Sequence, residues 1–230
     1  MSEYTGIITE NQNMTKDVYI LRILLDNELG HRAGQFVNIE ADIDDEKRIK
    51  AYSIASPCNQ KKSIELCIKK IPGGKMSNYL YNLPIGSKLK ITGPYGLFVV
   101  EDCKNNCIFV ATGTGIAGIK PIIQDLLSRN CRKNIMLVYG VRKEEDIYYK
   151  HVFETLAKQY PNFSFVTTLS RPRTEWKGMK GYVQDWIKNN VKYTNQDVYV
   201  CGLPDMVEGV ASVCKGLGFT DSHIHTEKYV

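Results

Sequence analysis

A glycine-rich turn in the middle of the chain has the residue types and the spacing of a dinucleotide phosphate site. Residues 107–111 are apolar and rich in β-forming side chains, and apolar residues recur at helical spacing from Ile116 onward. Between them, Gly113, Gly115 and Gly118 have the Gly-x-Gly-x-x-Gly spacing. Such glycines let the backbone approach a pyrophosphate, and the next helix presents unpaired N–H groups to it. The pattern therefore predicts a nucleotide-binding turn, although the same glycines also suit an ordinary tight turn.

The acidic residue that completes the usual NAD-binding fingerprint is missing. It is expected about 20 residues after the glycines, near the end of the second strand. In this chain the apolar run 135–139 is followed by Gly140-Val141-Arg142-Lys143. The glycine spacing alone thus leaves both interpretations open, and the surrounding elements must decide.

The two halves of the chain differ in their periodicity. Residues 1–101 contain short strands separated by glycines, with one helix after Gly74, and this pattern predicts a small antiparallel β-barrel. Residues 102–230 alternate strand and helix, which predicts a doubly wound α/β domain with a parallel sheet. The predicted strands are 4–9, 18–25, 35–39, 51–55, 63–69, 88–92, 107–111, 135–139, 163–169, 197–201 and 223–226. The predicted helices of the second half are 116–129, 147–159, 182–190 and 204–217.

The predicted α/β topology also locates a crevice. Ligands of such sheets bind beyond the carboxyl ends of the strands. We therefore expect one crevice to be rimmed by the residues that follow four of the strands, namely Gly113, Gly140, Ser170 and Gly202.

The composition argues against several classes of protein. A net charge of +5 is spread along the chain rather than concentrated in a block, which is too mild to indicate nucleic-acid binding. No signal-peptide pattern is present at the N-terminus, and no apolar run approaches the roughly 20 residues of a membrane helix. The expectation is a globular cytoplasmic protein without a membrane span.

The cysteine content points to a reducing compartment. The seven cysteines are odd in number and irregularly spaced, so the sequence indicates neither a disulfide framework nor a zinc site. Cys103 and Cys107 are the only close pair, and they lack the further ligands of an iron–sulfur cluster. No metal site is expected.

Six short motifs that follow one another along the chain resemble those of the ferredoxin–NADP reductase family. They occupy residues 51–57, 73–80, 93–96, 113–117, 139–142 and 201–207. The resemblance covers nearly the whole chain and includes the order of a barrel followed by an α/β domain. It implies a flavin on the barrel, for which FAD is expected and FMN stays an alternative, and NADPH or NADH on the α/β domain.

On the barrel, the resemblance implies two flavin-binding elements. Lys50, Ala51, Tyr52 and Ser53 correspond to an Arg-x-Tyr-Ser/Thr motif, in which the Tyr packs along the isoalloxazine and the hydroxyl points at its reactive N5. Lys50 stands at the Arg position, so it keeps the positive charge but loses the bidentate fork that suits a phosphate. The second element receives the flavin phosphates at the start of a helix and comprises Gly74, Lys75, Met76 and Ser77.

On the α/β domain, the resemblance implies a nicotinamide end and a ribose end. Thr114 and Cys201 would border the nicotinamide ring, and Ser170-Arg171 would meet a ribose 2′-phosphate, which favours NADP over NAD. Glu227 and Tyr229 resemble the C-terminal residues of the family, whose aromatic covers the flavin. Four further residues are expected at the nucleotide, namely Gly113, Gly115, Arg142 and Gly202.

The resulting expectation is a flavin-dependent NAD(P)H oxidoreductase. Ser53, Cys201, Glu227 and Tyr229 are its candidate catalytic residues, and the electrons would leave for a small redox protein such as ferredoxin or flavodoxin. Two alternatives remain open. The chain could reduce free flavin, as the weaker phosphate ligand Lys50 would allow, or it could be an electron-transfer or binding subunit of a larger complex.

Overall fold

A computed structural model describes residues 2–229 of the chain; Met1 and Val230, which fall within the predicted domain ranges, lie outside the described residues. The chain forms two compact units. The first contains residues 2–100 together with Lys120–Asp125, and the second contains Glu101–Ile119 together with residues 126–229.

The first unit is an antiparallel six-stranded sheet with one helix. Its elements are β1 (Ser2–Asn13), β2 (Val18–Leu25), β3 (Phe36–Ile43), β4 (Glu46–Ser53), β5 (Ser63–Lys69), α1 (Lys75–Asn82) and β6 (Lys88–Tyr95). The strand order is β4-β3-β6-β1-β2-β5. Ile54, just beyond β4, pairs with Leu66 of β5, so the two edge strands of the sheet meet and curl it toward a barrel. The predicted antiparallel barrel is confirmed.

The core of this unit follows from the alternation of its strands. Apolar side chains on one face of the strands other than β4 are buried, among them the fully buried Ile8, Ile23, Ile39 and Ile91. Tyr19 is buried in the same core, and its hydroxyl donates a hydrogen bond to the carbonyl oxygen of Ser77 over 2.8 Å. This bond attaches the first turn of α1 to the barrel.

The second unit is a parallel six-stranded sheet with helices between its strands. Its strands are β7 (Cys107–Thr112), β8 (Ile135–Val141), β9 (Phe163–Leu169), β10 (Met179–Lys180), β11 (Asp197–Gly202) and β12 (Ile224–Lys228). Its helices are α2 (Ile116–Ser128), α3 (Lys150–Gln159), α4 (Val183–Asn190) and α5 (Pro204–Gly216). The strands lie in the order β10-β9-β8-β7-β11-β12. From β7 the successive strands are added first on one side of the sheet and then, from β11 onward, on the other side. This is the doubly wound arrangement, so the predicted α/β topology is confirmed.

Strand β4 begins earlier than the sequence predicts. The hairpin before it turns at Asp44 and Asp45, both in the left-handed region with φ of 53° and 59°. Residues 46–50 are mostly exposed and polar, so they carry no alternating apolar pattern, but they pair throughout with β3. Pairing rather than side-chain periodicity makes this stretch a strand.

The cysteines differ from the sequence expectation at one place. Cys103 and Cys131 form a disulfide, although they are 28 residues apart and belong to no recognisable spacing pattern. The two segments meet because β7 and α2, which lie between them in the chain, run in opposite directions. The residue before β7 and the residue after α2 therefore lie at the same end of the unit. The other five cysteines are free, and within residues 2–229 no group of three or more His, Cys, Asp or Glu side chains is arranged to hold a metal ion.

None of the helices in the described part of the chain combines the length and the apolar character that crossing a membrane requires.

Candidate cofactor-binding sites

The end of β4 carries the first predicted flavin element. The register pairs Ser53 with Phe36 and Tyr52 with Val37 of β3. The ring of Tyr52 packs partly against the barrel core, and this burial raises the pKa of its hydroxyl. Ser53 ends the strand and is 8% exposed. The strand thus fixes both side chains at a defined position on the barrel.

A cavity of about 340 Å³ brings the two predicted flavin elements together. It is lined by Arg48, Ile49 and Lys50 of β4 and by Gly73, Lys75 and Met76 at the start of α1. These two segments are more than 20 residues apart in the chain. Of the eight residues predicted for the flavin, three line this cavity, and the others flank those three in sequence.

The turn before α1 is held by its own hydrogen bonds. Gly73 has a φ of 72°, which favours glycine, and the N–H of Gly74 donates to the carbonyl of Ile71 over 2.9 Å. The Ser77 hydroxyl oxygen accepts a hydrogen bond from the Ile71 N–H over 3.2 Å. No side chain caps α1, so its first N–H groups remain available to a ligand. The positive end of the helix dipole lies at these N–H groups, so it favours an anion bound at this turn.

The charges around the cavity suit an anion. Lys75 pairs with Asp44 over 2.7 Å, and Arg48 pairs with Glu46. Lys50 is exposed, and no ion pair engages it in the described residues. An uncapped helix start beside an unpaired ammonium group and two further cations fits the diphosphate of FAD.

The glycine turn of the second unit is a 3₁₀ turn over Gly113–Gly115 that connects β7 to α2. Gly113 has a φ of 52°, and the Tyr139 hydroxyl donates to its carbonyl oxygen over 2.9 Å. A Cβ on Gly115 would collide with the carbonyl oxygen of Cys201 and would lie 2.9 Å from the Cα of Gly202. Only glycine at position 115 lets this turn pack against the end of β11.

Cys201, Glu227 and Tyr229 lie together at the carboxyl edge of the parallel sheet. Cys201 is fully buried and pairs in register with Glu227 of β12, whose carboxylate lies 3.9 Å from the Cys201 sulfur. The Tyr229 N–H donates to the Gly202 carbonyl over 2.9 Å. Burial, together with the Glu227 carboxylate, raises the pKa of the Cys201 thiol well above its ordinary value. Cys201 therefore stays a neutral thiol at this edge of the sheet.

Gly118 faces the same group of side chains. A Cβ at this position would lie 3.4 Å from a Glu227 carboxylate oxygen and 3.6 Å from both the Cys201 sulfur and the Tyr229 hydroxyl. The absent side chain leaves room for the Tyr229 hydroxyl beside the first turn of α2.

The residues predicted for the ribose end lie where β8 and β9 finish. The Ser170 N–H donates to Val141 O over 3.0 Å, and the Arg171 N–H donates to Arg142 O over 2.9 Å. Arg142 and Arg171 are exposed, and neither takes part in an ion pair of the described residues. Arg173, by contrast, pairs with Glu145 over 3.5 Å. Two cations are thus free to meet an anion at this edge.

Two residues that the sequence interpretation did not single out lie beside the end of β9. Strand β10 pairs Lys180 with Leu169, and Gly181 donates to the Leu169 carbonyl over 2.9 Å. This pairing places Lys180 and the 65% exposed Tyr182 alongside the end of β9. A two-residue strand is too short to show periodicity, so only the Lys-Gly-Tyr turn before α4 could have indicated them.

The described geometry confirms that the predicted crevice residues share one edge of the sheet. Gly140 pairs with Thr112, next to Gly113, and Cys201 pairs with Ala111 at the other side of β7. Ser170 and Gly202 follow or end neighbouring strands of the same parallel sheet. What each predicted residue binds there remains a prediction.

Two protein-family models match the chain in succession. The oxidoreductase FAD-binding domain matches residues 5–100, and the oxidoreductase NAD-binding domain matches residues 109–212. Ferredoxin–NADP reductase B of Sorangium cellulosum (strain So ce56) is 33% identical over 206 residues, which cover 86% of this chain and 84% of that protein.

Two further similarities concern longer proteins. The reductase component of phenol 2-monooxygenase from Pseudomonas sp. (strain CF600) is 32% identical over 214 residues, or 90% of this chain and 60% of that protein. The crystal structure of the Amycolatopsis cytochrome P450 reductase GcoB superposes with a TM-score of 0.91 at 27% identity, covering 99% of this chain and 69% of the other. The chain therefore spans less than two thirds of the phenol 2-monooxygenase component.

Proposed function

Because this chain belongs to the ferredoxin–NADP reductase-like family of flavoprotein oxidoreductases, we propose that it oxidises NAD(P)H and delivers the electrons through FAD to a separate acceptor. One observation carries the proposal. A single chain holds both a cationic cavity at the uncapped start of α1 and a glycine turn at the carboxyl edge of a parallel sheet. When bound, a flavin takes a hydride from reduced nicotinamide and releases electrons one at a time.

On the barrel, the protein's contribution is to bind and orient. Lys50, Lys75 and the first N–H groups of α1 would hold the phosphates, and Tyr52 and Ser53 would border the ring. Tyr19 supports this arrangement from inside the barrel through its hydrogen bond to Ser77. The family's Tyr and Ser/Thr hydroxyl positions are both present, whereas its Arg is replaced by Lys50.

On the α/β unit, the residues would orient the nucleotide and exclude side reactions. The turn at Gly113–Gly115 would receive the pyrophosphate, and Arg142 and Arg171 would meet the ribose end. Cys201 and Glu227 would border the nicotinamide as a neutral thiol and a carboxylate. No nucleophile is required, because the reaction moves a hydride rather than an acyl or phosphoryl group.

The proposed acceptor is a small redox protein such as ferredoxin or flavodoxin. Support comes from relatives whose names describe reductase or electron-transfer components, among them that of toluate 1,2-dioxygenase from Pseudomonas putida, 30% identical over 205 residues. We place the protein in the cytoplasm on the basis of its mostly free cysteines. The preference for NADPH rests on the unpaired Arg171.

The proposal is tested on the purified full chain. We expect a yellow protein whose released chromophore is FAD by mass spectrometry, and which reduces ferricyanide at the expense of NADPH or NADH. A second candidate, the reduction of free flavin, is favoured by Lys50 at the phosphate position. It predicts a colourless protein that oxidises NAD(P)H only when flavin is supplied. Protein that neither binds flavin nor oxidises NAD(P)H with added flavin would refute both.

Lys50→Ala is expected to weaken FAD binding by about five- to thirtyfold, or roughly 1–2 kcal/mol, since it removes the unpaired cation of the cavity. Lys50→Arg is expected to preserve or tighten binding, because the guanidinium can contact a phosphate in a bidentate manner. Fluorescence titration of flavin-depleted protein measures both. Lys47→Ala is the matched control, because Lys47 lies on the same strand and pairs with Glu40 over 2.7 Å. Equal FAD affinity in wild type and Lys50→Ala would exclude Lys50 as a phosphate ligand.

Ser53→Ala is expected to slow NAD(P)H-dependent reduction of the bound flavin about tenfold while nucleotide affinity changes little. An oriented hydroxyl that acts on the reacting atoms contributes to the chemical step rather than to binding. Stopped-flow absorbance at saturating nucleotide gives the rate, and its concentration dependence gives the affinity. A wild-type rate in the variant would remove Ser53 from the mechanism.

A further inference from the structure

Three sulfur atoms meet at the end of the α/β unit that is opposite to the glycine turn. Cys103 precedes β7 and is bonded to Cys131, which follows α2. Cys107, the first residue of β7, has its sulfur 4.0 Å from that of Cys103. Neither the proposed reaction nor the nucleotide site uses any of them.

The disulfide is accessible from a cavity of about 200 Å³. Both of its cysteines line this cavity, together with Glu101, Asp102, Leu126 and Arg129. Cys103 and Cys131 are partly exposed, whereas Cys107 is 2% exposed. The pair therefore borders this cavity in the folded unit, and the cavity is the side from which a small thiol would approach it.

The surroundings suit the reduced state as well as the oxidised one. The Cα atoms of Cys103 and Cys131 are 6.4 Å apart, within the ordinary range for a disulfide. The Cys103 sulfur also lies 3.6 Å from the Asn105 carbonyl oxygen, which can accept a hydrogen bond from a reduced thiol. The Arg129 guanidinium also donates a hydrogen bond to the Glu101 carbonyl oxygen over 2.9 Å, which links the same two segments independently of the disulfide.

Cys107 is poorly suited to compete for Cys103. Burial and the carboxylate of Asp197 raise the pKa of its thiol to about 12, so the nucleophilic thiolate is scarce at neutral pH. Its S–H is instead directed at the Asn105 carbonyl over 3.5 Å. The exchange chemistry is thus confined to Cys103 and Cys131.

We propose that Cys103 and Cys131 are a reversible thiol–disulfide modification site for small thiols and their disulfides. In reduction, the thiolate of a small thiol attacks one sulfur and breaks the protein S–S bond, giving a mixed disulfide and one protein thiolate. A second thiolate then attacks the sulfur of the small thiol, releases the small disulfide and leaves the second protein thiolate. Two electrons enter the pair, and two protons from solvent complete both thiols. A small disulfide reverses these steps.

The bond encloses a defined part of the α/β unit. The 28-residue separation between the two cysteines contains β7, the Gly113–Gly115 turn and the whole of α2. Closing a loop of this length restricts the unfolded chain, so oxidation is expected to raise the thermal midpoint by roughly 5–15 °C. The modification would therefore set the stability of the segment that carries the nucleotide turn.

Peptide mapping of the full chain identifies the pairing directly. Trypsin cleaves after Lys104, Arg129 and Arg132, so Cys103, Cys107 and Cys131 fall in separate peptides, 91–104, 105–129 and 130–132. After equilibration with oxidised glutathione and alkylation, we expect peptides 91–104 and 130–132 to be linked. Reduced glutathione should separate them. A link involving peptide 105–129, an unlinked pair in oxidised buffer, or a link that resists reduced glutathione would each overturn the proposal.

The thermal shift supplies the matched controls. Cys103→Ser and Cys131→Ser should have equal midpoints in oxidised and reduced glutathione, whereas Cys58→Ser, partly exposed in the first unit, should keep the wild-type difference. No difference in wild type, or loss of the difference in Cys58→Ser, would contradict the assigned effect on stability. Flavin binding and NAD(P)H oxidation are measured separately, so failure here is distinguishable from failure of the proposed function.

Discussion

Gly115→Ala is expected to weaken NAD(P)H binding by about tenfold or more and to destabilise the α/β unit by roughly 1–3 kcal/mol. The added Cβ collides with the Cys201 carbonyl and lies 2.9 Å from the Gly202 Cα, both of which are backbone atoms. Neither can rotate aside as a side chain would. The turn must therefore move away from β11, which displaces the N-terminus of α2 where the pyrophosphate is proposed to bind. Isothermal titration with NADPH and a thermal scan measure the two effects.

Two other glycines serve as controls for Gly115. Gly216 ends α5, and a Cβ added there would meet no atom within 4 Å, so Gly216→Ala should be neutral or slightly stabilising. A Cβ added at Gly113 would meet no atom within 4 Å either. The backbone φ there is 52°, which an alanine adopts unfavourably, so Gly113→Ala should cost about 1–2 kcal/mol of stability. If Gly115→Ala bound nucleotide like Gly216→Ala, close packing of the turn against β11 would not matter for binding.

The periodicity of the sequence is sufficient to predict most of the architecture. Strands such as β5 and β9 have the predicted bounds, Ser63–Lys69 and Phe163–Leu169, because their apolar residues must be buried by the sheet. The first half of β4 and the two-residue β10 escape prediction, since backbone pairing rather than apolar side chains defines them. Local pattern gives the elements that bury a face, and long-range pairing gives the others.

The candidate sites show a similar division. The Gly113–Gly115 turn and the start of α1 can be located from their glycines, because positive φ angles and close approaches demand that residue type. Which cations remain unpaired depends on side-chain partners across the fold. Arg173 is engaged by Glu145, whereas Arg171, two residues away, has no such partner in the described chain. Likewise, the pairing of Cys103 with Cys131 depends on how α2 packs back along β7, which spacing does not encode.

Arg171→Ala is expected to weaken NADPH binding by about 10- to 150-fold while leaving NADH binding nearly unchanged. A charged hydrogen bond to the 2′-phosphate contributes roughly 1.5–3 kcal/mol to NADPH binding. NADH lacks the 2′-phosphate, so the substitution removes no such bond from its complex. The backbone position of Arg171 is fixed by its N–H bond to Arg142 O, and its exposed guanidinium has no ion pair among the described residues. Titration of the variant with each nucleotide gives the ratio of affinities directly.

The neighbouring Arg173 supplies the comparison for this prediction. Its guanidinium is already paired with Glu145 over 3.5 Å, so Arg173→Ala should change NADPH affinity less than Arg171→Ala does. Should Arg173 compensate for the loss of Arg171, the double variant would lose more NADPH affinity than the two single losses combined. Parallel losses for NADPH and NADH would mean that Arg171 supports the loop instead of binding phosphate. A wild-type protein that already prefers NADH would overturn the assignment of NADP, because an arginine that reads the 2′-phosphate must favour the nucleotide that carries it.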